Sequence, residues 1–508
     1  MHHSPTNMEF TLSHGIALGA LLLLVYFGQQ WSRLRKIPGP FLASLTNIPR
    51  AYWVWARQAH ETHISLHRKY GKLVRVGPNM VSVSNALEVD QIYKTRDPLI
   101  KSEFYPVILP MSKGKIIPGL FATRDENLHR MLKKPIAGVY SMSNLTSFEP
   151  LVDSTIKTFL SELETRFVAP RKSCDWGTWL QYFAFDVVGE ITFSTRLGFL
   201  ESDTDVEGIM NDIWKWFEYV AVVGQIPWVD RLWVKNPVLS QLRPEKWSPM
   251  VRFAVKRQEE RQQQIATGKG TYNDRDFLSR FLDAMRKDPS IPPWALTAWT
   301  SSNVLAGSDT TAIFLRTMFK NLIDYPETLE RLRRELDDAA ADGRLSNIVT
   351  WKESRNLPYL EACFKETGRI HPPFGLQLER IAPSGGIELS GQHIPAGTIV
   401  GMNAWAVHRD TDVFGPDADC WRPERWLDCD EETKSRMERG LLTFGAGHRS
   451  CLGKHISYLE IYKLVPTILQ KFDIELVNPK QPWKVQNRWF VVQTEFEVWL
   501  KNRETRAT

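Results

Sequence analysis

The strongest chemical signal in the chain is a ten-residue stretch, Phe444-Gly445-Ala446-Gly447-His448-Arg449-Ser450-Cys451-Leu452-Gly453. Gly445 and Gly447 permit tight turns and positive φ ahead of Cys451. Gly453, just beyond it, removes a side chain where a flat ligand would come close. Leu452, Ile456 and Leu459 have the spacing of a helix that opens after the cysteine. A thiol at a helix N-terminus sits at the positive end of the dipole, which favours the thiolate. Arg449 adds positive charge and can clamp a carboxylate. Phe444 can cover the sulfur and keep water out. Together these residues fit a thiolate metal ligand in a dry, hydrogen-bonded loop. The plainer alternative is a buried structural cysteine beside a glycine turn.

A second stretch, Ala306-Gly307-Ser308-Asp309-Thr310-Thr311, interrupts a helical pattern running from Pro293 to about Asp324. A mid-helix glycine costs about 1 kcal/mol relative to alanine. A helix tolerates one where something approaches its backbone or where it bends. By helical spacing Asn303, Gly307, Thr310 and Phe314 share one face. Glu366 and Arg369 lie three apart on a further helix, which Asn356-Leu357-Pro358 starts and His371-Pro372-Pro373 ends.

The loop resembles the haem-binding signature of the cytochrome P-450 superfamily, F-x-x-G-x-R-x-C-x-G, with Phe444, Gly447, Arg449, Cys451 and Gly453 in its fixed slots. In that family a cysteine thiolate ligates haem iron. Residues 306–311 resemble its oxygen-activating segment. Glu366-Thr367-Gly368-Arg369 and Pro423-Glu424-Arg425-Trp426 resemble its E-x-x-R and P-E-R-[FW] segments. The resemblance covers about Ile37 to the end of the chain. It implies a mostly α-helical fold with a small antiparallel β region. Haem b would lie between the oxygen-activating helix and the helix after the Cys loop.

The resemblance also assigns roles. Cys451 would be the axial iron ligand, with Arg449, Phe444, Gly453 and Gly307 around the haem. Most members place Trp and Arg four apart against a haem propionate; here His129 and Lys133 take those places. Lys lacks the planar fork of Arg, and the same pair also reads as a solvated basic helix face. Thr310 would hydrogen-bond dioxygen and Asp309 would relay protons. Glu366, Arg369 and Arg425 would form a buried structural triad. Phe104, Phe121, Asn303, Phe374, Leu376 and Phe490 would line the substrate pocket. The implied reaction is mono-oxygenation of a lipophilic small molecule. Electrons would come from NADPH through a separate flavoprotein reductase, since no G-x-G-x-x-G occurs. Stretches 75–83, 103–107 and 137–141 look like fungal members near the pisatin demethylase group, which mostly serve secondary metabolism. The rival readings are oxidative coupling or rearrangement without net oxygen insertion, and a non-catalytic haem-binding membrane protein.

These groups must be positioned by a chain of 508 residues with 43% hydrophobic and 24% charged residues, the composition of an ordinary globular core. A net charge of +6 does not imply nucleic acid. Five widely spaced cysteines without C-x-x-C argue against a disulfide framework and a zinc site. The expected organisation is a short lumenal segment (1–9), a transmembrane anchor (10–28), a basic and proline-rich linker (29–50) and the catalytic domain (51–508). The anchor expectation rests on Phe10 to Gly28, which carry no charge and would span about 28 Å as a helix. Arg33, Arg35 and Lys36 follow it, which argues against a signal peptide and leaves the catalytic domain in the cytosol, on the endoplasmic reticulum membrane. Leu73 to Val83 reads as two strands around Gly77-Pro78-Asn79, and Gly385 to Val400 as a small hairpin system. Between residues 211 and 247, Trp214, Trp216, Trp228, Trp233 and Trp247 read as core, or as a lid that dips into the membrane surface.

Overall fold

The computed structural model describes residues 5–112, 115–241, 249–268 and 274–504; residues 1–4 of the expected lumenal segment and Trp247 lie outside them. The fold is mainly α-helical with small sheets at its edges.

Helix α1 (Pro5–Arg33) contains the uncharged run. No helix among the described residues is long and apolar enough to cross a membrane. The C-terminal end of α1 is fixed to the domain. The buried Arg75 guanidinium donates to the carbonyls of Gln30 (2.8 Å) and Trp31 (3.0 Å), and also to those of Ser44 (3.2 Å) and Pro78 (2.6 Å). Arg33 donates to the Ala396 carbonyl at 2.7 Å. A helix C-terminus leaves carbonyls unpaired, and a cation there satisfies both them and the dipole.

Strands β1 (Leu73–Gly77) and β2 (Met80–Val83) form the expected hairpin. Cys174–Asp175 is β3. β4 (Leu378–Ile381) and β5 (Ile399–Met402) complete a four-stranded sheet in the order β1-β2-β5-β4. The strand pairs are antiparallel as expected except β2–β5, which is parallel and makes this one sheet mixed. The reason is topological: β2 and β5 are separated by most of the chain, a crossover that allows parallel pairing. Strands β6 (Phe472–Leu476) and β9 (Glu497–Asn502) join β3, and β7 (Lys484–Asn487) pairs with β8 (Val491–Thr494). The expected hairpin within 385–400 is Ile387–Leu389 against Gln392–Ile394.

Six further helices position the site: α2 (Glu126–Lys133), α3 (Trp176–Phe193), α4 (Ile209–Val223), α5 (Trp294–Asp324), α6 (Pro358–Ile370) and α7 (Lys454–Lys471). α3 is buried along almost its whole length, as its apolar residues on every face require. It packs against α5. Gly307 is the close point, where an added Cβ would come within 2.7 Å of Val188 Cγ2. What approaches the glycine backbone is therefore a neighbouring helix. α5 stays one unbroken helix of 31 residues through its glycine and threonines. Its Ser308 and Thr310 hydroxyls bond back to the carbonyls of Val304 (2.9 Å) and Ala306 (2.8 Å), inside the helix.

Of the four described tryptophans in 211–247, Trp214 and Trp216 are half-buried. Trp228 and Trp233 are each 62% exposed, on and beside the short helix Pro227–Leu232, so the core reading does not hold for them.

Candidate active site

A cavity of about 420 Å³ lies between α5 and the loop that precedes α7. Asn303, Gly307, Thr310 and Phe314 all line it, so the helical spacing selects the correct face. Opposite them the loop 444–453 supplies the floor. Gly445 and Gly447 have φ of 64° and 63°. At Gly447 a Cβ would overlap the Tyr93 carbonyl, so both the turn and the close approach require glycine. The Cys451 N–H donates to the Phe444 carbonyl at 2.8 Å, which closes the loop.

Cys451 is the only cysteine lining the cavity, and the space it is exposed to is the cavity itself. Burial pushes its thiol up; the N–H groups of Gly453 and Lys454 and the Lys454 charge oppose that shift. Oriented donors with a residual desolvation cost are what a metal-bound thiolate needs, because the metal displaces the proton. At Gly453 an added Cβ would meet only Ile456 Cδ1, at 3.8 Å, among protein atoms. The protein does not itself need glycine there. The cradle in front of the sulfur stays open for a flat ligand, as haem requires.

One corner of the cavity is rich in positive charge. Arg449 reaches Glu126 at 2.7 Å and also donates to the Thr123 carbonyl at 3.1 Å. The carboxylate it clamps is thus one of the protein's own. The second Glu126 oxygen and His129 Nδ1 are buried without hydrogen bonds. Burial, then Arg449, His448, Lys133 and Lys101, press His129 down to about 3, so it is a neutral donor. Lys133 lines the cavity, with its ammonium on the His448 carbonyl at 2.9 Å. Lys101 and Arg380, distant in sequence, bridge strand-fashion at the same corner. The Lys101 ammonium stands 4.2 Å from the Tyr105 ring centre and 4.3 Å from that of Phe121. Burial, then Arg380 and Arg449, hold it well below the usual lysine range. Arg449, Lys133, Lys101 and Arg380, with neutral His129 as a further donor, stand against the one carboxylate of Glu126 and suit a ligand with two carboxylates. This corner therefore fits the haem propionates. Sequence reasoning found His129, Lys133 and Arg449 there and missed Lys101, Arg380 and Glu126, which no local spacing links.

The expected pocket residues divide. Phe121, Asn303, Phe374 and Phe490 line the cavity. Phe104 and Leu376 do not: both are buried in the core. Phe104 is screened from the cavity by Trp489, which lines it and stacks on Phe104 with ring centres 5.1 Å apart. Leu376 follows Gly375, whose carbonyl takes amide donors from Asn403 (2.8 Å) and Asn487 (2.9 Å), and lies with the core. Tyr140, another lining residue not foreseen, donates to Asn303 Oδ1 at 2.6 Å.

Asp309 sits behind α5 and not on the cavity. Its Oδ1 accepts from Gln181 and, at 3.4 Å, from the Trp214 indole; its Oδ2 is buried with no partner. Burial pushes its carboxyl up to about 6, against the pull of Trp214, Arg316 and Gln181. The triad forms as expected. Arg369 grips Glu366 with two bonds of 2.8 and 2.7 Å, and Arg425 meets the same carboxylate at 3.1 Å. Trp426 and the Arg422 N–H add donors at 3.0 and 2.9 Å. The carboxylate is fully buried, and these donors offset its desolvation.

Comparison with known proteins agrees with this geometry. The family model described as Cytochrome P450 matches residues 36–500. A "Cytochrome P450 monooxygenase" of Aspergillus terreus is 55% identical over 462 residues, covering 90% of this chain and 94% of that protein. "Cytochrome P450 monooxygenase cicH" of Emericella nidulans is 53% identical over 480 residues, 94% of this chain and 96% of that protein. "Cytochrome P450 monooxygenase pkfB" of the same species is 43% identical over 506 residues, 99% of this chain and 98% of that protein. The chain belongs to the cytochrome P450 family: it is a haem-thiolate monooxygenase supplied with electrons from NADPH by a reductase.

Proposed function

We propose that the chain oxidises a lipophilic small molecule of fungal secondary metabolism (a terpenoid, alkaloid or polyketide), with Cys451 as the iron ligand. The observation that carries the ligand assignment is that one cysteine alone faces the cavity, at the end of a loop whose glycines leave its front open. When bound, the haem supplies dioxygen activation, with the thiolate favouring O–O cleavage. The protein's own residues do the rest. Lys101, Lys133, Arg380 and neutral His129 hold the two carboxylates of the cofactor and so fix its rotation. Phe121, Phe374, Trp489 and Phe490 exclude water and bind the substrate by apolar contact. Thr310 presents a hydroxyl at the cavity wall, and Asp309, one residue earlier, exchanges protons with the far side of α5.

Residues 10–28 anchor the protein in the endoplasmic reticulum membrane, with the domain 51–508 in the cytosol. The uncharged run followed by Arg33, Arg35 and Lys36 supports this reading. Exposed Phe41, Leu42, Ile48, Tyr52 and Trp55 just beyond α1, with Trp228, Leu232 and Trp233, are the apolar surface such a position calls for.

Reduced protein with carbon monoxide should give the red-shifted Soret band of thiolate-bound haem, and Cys451→Ala should lose it. A thiolate-type spectrum in that variant sinks the assignment. Incubation with reductase, NADPH and candidate metabolites should add one oxygen atom by product mass. Coupled products without added oxygen would favour the oxidative-coupling reading. Protease added to sealed microsomes should digest the domain; full protection would reverse the topology.

A further inference from the structure

The carboxylate of Asp309 is enclosed by three elements. Gln181 faces it from α3, Trp214 from α4, and Arg316 from two turns further along α5. Arg316 does not bond the acid. Its guanidinium donates to Gln181 Oε1 and to the Gly177 carbonyl, both at 2.7 Å. Two donors thus converge on one carboxylate oxygen while the other, buried, has none. The acid is held turned away from the cavity by an arrangement that satisfies half of it.

Of the two donors, Trp214 is the one tied to the cavity wall. Arg488 covers its ring, with the guanidinium carbon 5.3 Å from the ring centre. Arg488 also meets Glu218, one turn along α4, at 3.1 Å. The next residue, Trp489, lines the cavity, and so does Phe217, three residues after Trp214. Those two rings stack on each other, 5.9 Å between centres and 6° between planes. The donor to Asp309 and two rings that a cavity occupant would touch therefore belong to the same two short segments, 214–218 and 488–490. Packed interiors do not deform continuously, so pressure on Phe217 and Trp489 is passed to Trp214.

Building on the reading of Asp309 as the relay acid, we propose that Trp214 is a positioning residue for it: together with Gln181 the indole N–H keeps the carboxylate turned from an empty cavity, and an occupant that displaces Phe217 and Trp489 withdraws the indole, leaving the acid on Gln181 alone and free to turn about it. Loss of the donor favours the protonated acid, so release draws a proton from solvent onto Asp309. Proton delivery is thereby tied to the presence of substrate.

The test is an infrared pH titration of the holoenzyme, reading the C=O band of a protonated buried carboxylic acid. Loss of the band in Asp309→Asn assigns it, and 1-phenylimidazole serves as the cavity probe. In the wild type the midpoint should rise by about half to one pH unit when the probe binds. In Trp214→Phe it should be raised already and should not respond further. Trp214→His, which keeps an N–H donor, should return toward the wild type. Arg488→Leu, which frees Trp214 from outside and guards against misfolding of the Phe variant, should also raise the midpoint. A wild-type midpoint and probe response in both Trp214→Phe and Arg488→Leu overturns the positioning role and leaves the relay reading standing. Unchanged product per NADPH and unchanged peroxide in Asp309→Asn overturns the relay reading itself.

Discussion

The hydroxyl of Thr443 donates to the Gly368 carbonyl at 2.7 Å. Gly368 lies between Glu366 and Arg369, and Thr443 directly precedes Phe444, so this bond joins the buried triad to the cysteine loop. A second strut runs beside it. His408 takes the Leu442 N–H at 2.7 Å on one ring nitrogen and bonds the Arg369 carbonyl at 2.9 Å with the other. A Cβ on Gly368 would come within 2.8 Å of Thr443 Cγ2. The triad is thus the foundation on which the loop stands.

Glu366→Gln should therefore act on cofactor loading as well as on stability. Removing the charge leaves Arg369 buried without a carboxylate, while Arg425 keeps Asp417 at 3.0 Å, at a cost of about 3–5 kcal/mol. Thermal unfolding should show the loss, and the carbon monoxide spectrum should show reduced thiolate-type haem in whatever folds. A variant of normal melting temperature and full haem content would contradict the linkage.

Two glycines of the loop should respond in opposite ways. Gly447→Ala places a side chain on the Tyr93 carbonyl in a left-handed backbone, and it should destabilise the protein by about 1–3 kcal/mol even before cofactor binds. Gly453→Ala meets no close protein atom and should leave the melting temperature of the cofactor-free chain unchanged, while haem titration shows weakened binding. Equal haem affinity in Gly453→Ala would mean that the cradle is not where the ligand lies.

Thr310→Ala should keep haem and near-normal NADPH consumption but lose most product, with hydrogen peroxide rising to match. For Asp309 the sign follows from its carboxyl standing near 6, where burial has lifted it. The protonated acid is the form that delivers a proton, and its population falls as pH rises through the carboxyl's value. With substrate bound, turnover should drop on the alkaline side with a midpoint about half to one unit above 6, and Asp309→Asn should lack that limb. A pH profile shared by wild type and Asp309→Asn would remove the assignment.

Stability should fail in acid for a separate reason. Burial, as the largest cause, holds His60, His63 and His408 near 3 and His67 and His371 near 4. Their folded values lie below the unfolded value of about 6.5. Their contribution is complete above pH 6.5 and is lost as pH falls from there toward 4, because only the unfolded chain takes up the protons. Five such groups set a limit of about 7 kcal/mol per pH unit within that window. Proton uptake on unfolding at pH 5 should approach five from these residues, and uptake near zero would contradict their burial as neutral rings.

What the sequence made legible is what local spacing can encode. The loop 444–453, the cavity face of α5 and the Glu366–Arg369 pair each lie within a few turns of chain, and each forms. Groups brought together from distant segments were not legible. Lys101 meets Arg380 by a strand bridge, and Trp214 reaches Asp309 across a helix interface. Phe104 was misread for the same reason: its aromatic character is right for a pocket, but Trp489, far along the chain, stands in front of it. Gly307 was read as room for an approaching group, and the structure identifies that group as Val188 of a neighbouring helix.

The five carbonyls gathered by Arg75 have a bearing on how α1 is carried by the domain. Two belong to the last turn of α1 and three, those of Ser44, Gly77 and Pro78, to the domain, and a single guanidinium serves all of them. A linker of loose chain would let the domain swivel like a buoy on a line. This joint is closer to a keel, because α1 cannot turn without breaking the bonds of Gln30 and Trp31 to the buried cation. Exchanging α1 for another apolar helix should therefore alter its angle to the domain, unless the register that brings Gln30 and Trp31 to Arg75 is kept.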